Sequence, residues 1–442
     1  MRPRVWAAAA AMAAIVLTIY VPDIGHGFIS DDFRWIVESR SESLADLVGL
    51  FGQDVGFYRP LVAVTFAADY ALWGAQALGY GVTNLALLTM AAVLLFVLAR
   101  DVRLPPAAAL LAAGVWLLNF HAVNMALLWI SGRTAMLACV FSLITAIFVI
   151  RRRPLLAGVA CLAAMLSKEE AIALPPLFAA YTWLSTGRSA VPGATWTLWA
   201  AALAYLVLRL SSDAFWPHDA PAFYAFTFSP ALIARNVLEY ADRAGTLALG
   251  ASLVLLATAR VGRHDFDERE RGVLLFAALW IPAMFALTVL VPVRSSLYAL
   301  LPSIGTALIA GAIGSAASRL RPPAFAKTAI VLLVAAAMLV PVYRSRNVRW
   351  VAIAELSERI LRTLERETAG RAGGHILLVD DRGERLNLDA AFGSLFPQAV
   401  RLRLGEGWTG EIVARPEEAQ RQGDLAFVLS DGALVLRDST PP

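Results

Sequence analysis

Residues 79–120 read GYGVTNLALLTMAAVLLFVLARDVRLPPAAALLAAGVWLLNF. Two apolar runs, 79–99 and 105–120, are separated only by a short turn carrying Arg100 and Arg103. Neither run shows the polar stripe that a helix on the surface of a water-soluble domain presents every third or fourth residue. Each approaches the roughly 20 residues needed to cross a bilayer. The pattern repeats along the first three quarters of the chain, at 5–22, 134–150, 154–167, 170–186, 194–210, 243–259, 272–292, 297–317 and 327–343. The sequence therefore predicts a mainly α, polytopic membrane bundle of about eleven spans.

Composition agrees. Of 442 residues, 59% are hydrophobic and 16% charged, and the mean hydropathy is +0.64. A soluble domain runs closer to about 45–50% apolar and about 25% charged. A chain this apolar could not cover a globular core with a charged surface. Two cysteines, Cys139 and Cys161, exclude a disulfide scaffold, and both lie in apolar runs. The net charge of +4 does not point to nucleic acid, because the basic residues punctuate apolar runs and form no patch.

The arginines set an orientation. With the N-terminus in the cytoplasm, every inner loop is basic: Arg2 and Arg4; Arg100 and Arg103; Arg151 to Arg153; Arg188; Arg260 and Arg263; Arg269 and Arg271; Arg319, Arg321 and Lys327. An odd number of spans then puts the tail outside. The expected division is a membrane domain over 1–343, with a first external loop at 23–78, and a small extracytoplasmic α/β domain over 344–442. In that tail, 350–367 has helical spacing, with Trp350, Ile353, Leu356, Ile360 and Leu364 on one face. Residues 375–380 read as a strand, and 425–436 as a hairpin turning at Asp431-Gly432. The first apolar run also fits a cleaved signal peptide, although no small-residue cleavage site follows its core.

Charges at the edge of a bilayer are costly unless paired or wet, so they mark the informative positions. Ser30-Asp31-Asp32 opens the first external loop. Two adjacent carboxylates suit a general base or a helix cap, and the sequence leaves both open. Tyr58-Arg59-Pro60 follows, with Arg59 either gripping a phosphate or snorkelling to headgroups. Phe66, Tyr70 and Trp73 share a face of an interfacial helix. Further outer turns hold His121, either a structural hydrogen-bonder or a ligand; Lys168-Glu169, either a self-neutralising pair or a phosphate-binding cation with its orienting carboxylate; and Arg294 with Tyr298. The loop before 230 holds Asp213, His218 and Asp219 among aromatic residues. The tail holds no nucleophile constellation, metal-ligand spacing or glycine-rich phosphate loop; nothing in the chain requires a metal, though Asp31 and Asp32 could hold one, and no cofactor is expected. Cations and carboxylates on one face suit an anionic lipid head and a base for an acceptor hydroxyl.

At these residues the chain resembles the transmembrane O-mannosyltransferase-like proteins that carry tetratricopeptide repeats, within the GT-C glycosyltransferase superfamily. The resemblance runs in order through Phe28 to Asp32, Tyr58 to Leu61, Asp69 to Gly74, Gly79 to Leu85, His121 to Val123, Trp129 to Arg133, Ser167 to Glu169, and Leu297 to Ser303. It implies a polyprenyl-phosphate-linked sugar as donor and an inverting transfer to an acceptor outside, of glycan, lipid or protein class. It also implies that Asp31 is the base, with Asp32 assisting or orienting it. Lys168, Arg59 and Arg294 are then the cations for the donor phosphate, with Glu169, His121, Tyr58 and Tyr298 as further site candidates. Alanine and arginine richness suggests a bacterial source, so the expected location is the inner membrane, with the tail in the periplasm. The chain departs from the family at Gly81, where a histidine is usual, at Asn124-Met125, where histidine and glutamate are usual, and at Val293, where an acid is usual. The repeats are absent. The alternative function is a non-catalytic membrane protein, either a lipid-linked glycan transporter or a degenerate scaffold. Charges at span ends on one side, rather than at the bilayer midplane, favour the enzyme.

Overall fold

The computed structural model describes residues 3–52, 56–212, 214, 221–380, 385–413, 425–430 and 433–436. The chain starts with α1 (Pro3–Tyr20), α2 (Asp31–Glu38), α3 (Leu44–Gly49), α4 (Pro60–Trp73) and α5 (Ala77–Asp101). It continues through α6 (Pro106–Leu117), α7 (Phe120–Leu128), α8 (Arg133–Ile150), α9 (Pro154–Met165), α10 (Leu174–Thr186) and α11 (Val191–Leu210). Then come α12 (Pro230–Ala259), α13 (Glu268–Phe285), α14 (Pro302–Leu320), α15 (Pro322–Met338) and α16 (Val340–Glu367). The tail adds β1 (Gly374–Val379), α17 (Arg385–Ala391), α18 (Phe396–Leu404), β2 (Trp408–Val413), β3 (Leu425–Ser430) and β4 (Ala433–Leu436). Proline opens α4, α6, α9, α12, α14 and α15, where its missing N–H costs nothing.

Each of the eleven expected spans coincides with helix. Among the described residues, five stretches are long and apolar enough to cross a membrane: Val5–Asp23, Ala77–Asp101, Ile130–Ile150, Arg188–Leu210 and Ser296–Leu320. The number reaches seven if two bent pairs each count once, α6 with α7 (62°) and α15 with α16 (42°). The difference from about eleven has a local cause. The runs at 154–167 and 170–186 fold as helices of only 12 and 13 residues, and α13 begins with Glu268-Arg269-Glu270-Arg271. Apolar composition alone does not show where a helix stops.

The membrane helices share one large core, with α14 buried along most of its length. A second core lies at one end of the bundle. It joins the first loop (Phe28, Phe33, Ile36, Val62, Phe66) to the tail (Ile360, Leu364, Ile376, Phe392, Phe396, Trp408, Phe427). The tail sheet has the order β2-β1-β3-β4, with β1 parallel to both neighbours and β4 antiparallel to β3. Ile376 to Val379 are fully covered, as central parallel strands are. The strand at 375–380, the helix at 350–367 and both strands of the hairpin appear, while Asp431-Gly432 lies outside the described residues. Helix α16 runs through positions 343 and 344 without a break.

Candidate active site

The two adjacent carboxylates have different surroundings. Asp32 is wholly buried. Its Oδ1 accepts the Ser131 amide (2.7 Å) and the Ser131 hydroxyl (2.5 Å), and its Oδ2 accepts the Ile29 amide (3.0 Å). Burial pushes its carboxyl up to about 7, against the pull of those hydrogen bonds. Asp31, half-buried at the first position of α2, accepts no hydrogen bond among the described residues. Burial raises its pKa above the usual carboxylate range, while Arg34 and Arg59 draw it back down. Ser30 holds the N-cap position with φ +49° and makes no side-chain cap bond. A cap is therefore not the role of this serine.

Arg59 is the last residue before α4. The amide of Leu61 donates to the Leu166 carbonyl (3.3 Å), which hooks the start of α4 to the turn after α9. This brings Arg59 to Glu169 in a two-pronged contact, Nε to Oε2 at 2.9 Å and Nη2 to Oε1 at 2.5 Å. The guanidinium also lies 4.3 Å over the Phe57 ring. Burial alone would lift Glu169, but the paired Arg59 holds it at about 2. Lys168 is buried and pairs with Glu170 (Nζ to Oε1, 2.6 Å), with its ammonium 4.8 Å over the Tyr298 ring.

Of the residues singled out from the sequence, the structure thus gathers Asp31, Arg59, Lys168, Glu169 and Tyr298 in one region. Two more belong with them. Glu170 is the partner of Lys168, and only its place beside Glu169 marked it. Tyr224 packs edge-on against Phe57 at 4.9 Å and is an electrostatic neighbour of Arg59, Asp31 and Glu169. Nothing in its spacing sets it apart from the other aromatic residues of its loop. That loop is tied down by Thr227 N to Leu290 O (2.8 Å) and Val293 N to Phe223 O (3.0 Å).

The remaining candidates have other partners. Arg294, half-exposed, bonds Glu239 (2.7 Å), which also pairs with Arg243. His121 is exposed beside Phe120, with Asp242, Arg243 and Arg346 as its charged neighbours. Tyr58 is buried, and its hydroxyl donates to the Phe51 carbonyl (3.0 Å). Asp213, His218 and Asp219 fall outside the described residues. Among those described, no group of three or more His, Cys, Asp or Glu could hold a metal.

Several residues of the resemblance serve the scaffold. Arg133, fully buried, pairs with Asp69 at 2.5 Å, bonds Asn84 Oδ1 at 2.9 Å and stacks on Phe66 at 4.4 Å. Two departures from the family have structural causes. A Cβ at Gly81 would stand 2.0 Å from the Ile24 carbonyl oxygen, so the chain passes too close for any side chain. Asn124 donates to Asn347 Oδ1 (2.6 Å) and accepts from Trp350 Nε1 (2.8 Å), which ties α7 to α16.

No protein-family model matches the chain. Two solved structures are similar in fold. ArnT from Cupriavidus metallidurans bound to undecaprenyl phosphate is 16% identical, with a TM-score of 0.48 over 81% of this chain and 72% of that one. The archaeal oligosaccharyltransferase AglB from Archaeoglobus fulgidus, with an inhibitory peptide and a dolichol-phosphate, is 11% identical, with a TM-score of 0.49 over 95% and 65%. In sequence, 183 residues are 31% identical to the protein O-mannosyl-transferase Tmtc1 of Drosophila melanogaster, covering 37% of this chain. The chain spans about a fifth of that relative's length, 21%. In sequence, part of the chain thus resembles a protein O-mannosyl-transferase, in keeping with the resemblance that its ordered motifs carry.

Proposed function

We propose that this chain is an integral membrane glycosyltransferase of GT-C type, moving a sugar from a polyprenyl phosphate to an acceptor outside the cytoplasm. The observation that carries the reading is Asp31. It is a half-buried carboxylate with no hydrogen-bond partner among the described residues, set near Arg59 and Tyr224. A structural carboxylate would be saturated, as its neighbour Asp32 is. In the proposed step the acceptor oxygen attacks the anomeric carbon and its proton passes to Asp31. The bond from that carbon to the phosphate oxygen breaks, its electrons leave with the polyprenyl phosphate, and the configuration inverts. Arg59 and Lys168 stabilise the growing charge on the phosphate. Glu169 and Glu170 hold these cations in place beforehand.

The transporter alternative needs charge within a span. Glu239 and Asp242 instead lie in the first half of α12, ahead of the apolar run to Ala259, and Arg243 stands at the first residue of that run. That favours the enzyme. The test is transfer from a radiolabelled polyprenyl-phosphate sugar in membranes holding equal amounts of wild type and Asp31→Asn. Loss of transfer in the variant supports the reading, and undiminished transfer moves the base elsewhere. No transfer by the wild type from any donor puts the non-catalytic reading ahead.

A further inference from the structure

The turn that carries Asp31 is gripped by residues that lie more than three hundred positions further along the chain. Gly27 has φ +121°, and a Cβ built on it would sit 3.3 Å from the Ala354 carbonyl oxygen of α16. The amide of Ser30 donates to the Ala391 carbonyl at the end of α17 (2.8 Å). The Phe33 ring, one turn into α2, stacks on Phe392 with centroids 5.8 Å apart and planes 27° apart, both fully buried. Phe392 in turn meets Phe396 edge-on at 5.2 Å. Ser30 is therefore held with positive φ, a conformation that a non-glycine residue keeps only when its surroundings impose it.

We propose that Phe392, together with the Ala391 carbonyl, is a positioning element for Asp31: the tail fixes the backbone turn that aims the carboxylate. This rests on the reading of Asp31 as the base. Phe392 touches no reacting group and acts only through Phe33 and Ser30. The tail is then part of the machinery of transfer rather than an appended module.

The test compares full-length wild type, Phe392→Leu and Leu429→Ala, the last a truncation in the β3 core, in membranes and in detergent. Transfer is measured alongside amide hydrogen exchange over 27–36. Phe392→Leu is expected to lower kcat about tenfold with donor KM unchanged, because a misplaced base costs rate and not binding. It should also lose exchange protection over 27–36, while Leu429→Ala keeps both. Unchanged kcat, or an equal fall in Leu429→Ala, overturns the proposal. If the wild type transfers no sugar, the reading of the site fails and exchange alone decides. Protection lost over 27–36 in Phe392→Leu alone upholds the clamp, whereas protection kept in both variants or lost in both removes it.

Discussion

Asp32 takes both the backbone amide and the hydroxyl of Ser131 on one carboxylate oxygen, bonding the start of the first-loop helix to the turn before α8. Its neighbour Asp31 has no such partner among the described residues. One acid is built into the frame, and the other is left available. The two should therefore respond oppositely to the same substitution. Asp31→Asn is expected to insert normally and lose transfer by at least about a hundredfold, the scale of general-base catalysis. Asp32→Asn places an amide donor among donors and should cost about 1–3 kcal/mol of stability, read as reduced folded yield and a lower Tm.

The raised pKa of Asp31 has a direction that can be checked. Only the ionised form can accept a proton, so transfer falls as pH drops through this pKa. The acid limb of kcat/KM should therefore lie above the ordinary aspartate range. Arg34 favours the charged carboxylate, so Arg34→Gln should move the limb further up. A limb at the usual aspartate position, unmoved by the variant, would separate Asp31 from the rate.

Two of the candidate cations, Arg59 and Arg294, should not be equal. Arg59→Ala removes a buried guanidinium beside Asp31, and a loss of about 10²–10³ in kcat is expected. Arg294 is half-exposed and paired with Glu239 in another cluster, so Arg294→Ala should leave transfer within about threefold, as surface pairs contribute little. Kinetics with the donor varied separates the two outcomes.

Arg133 and Asp69 form a fully enclosed ion pair. Removing one partner strands the other charge, so Arg133→Met should cost about 3–5 kcal/mol. Denaturation of the purified protein in detergent would show it. Gly81→His, which restores the residue usual in the family, should also fail to fold because of the Ile24 carbonyl.

The membrane class, the helical segments and most of the polar cluster were legible in the sequence because hydropathy and span-end charge are local properties. Pairing is not local. Lys168-Glu169 read as a couple, yet Glu169 turns to Arg59, 110 positions away, and Lys168 takes Glu170. Arg294 followed the same rule as Arg59, but the hook from Leu61 to Leu166 gathers only the latter with Lys168. Tyr224 was one aromatic residue among several until the loop's backbone bonds placed it. The span count suffered similarly, since a run of apolar residues does not record that α9 and α10 stop after only 12 and 13 residues.

The shared core of first loop and tail also has a consequence in time. Phe33 leaves the ribosome roughly 360 residues before Phe392, which at about 5–20 residues per second is a delay of roughly 20–70 s. Throughout that interval Phe28, Phe33 and Ile36 have no tail to pack against. The nascent loop must wait in an unfinished state, exposed to proteases and holdases on its side of the membrane. Biogenesis of this protein is thus a test of patience, and a stalled or truncated translation product should be cleared in that compartment rather than accumulate as a free membrane domain.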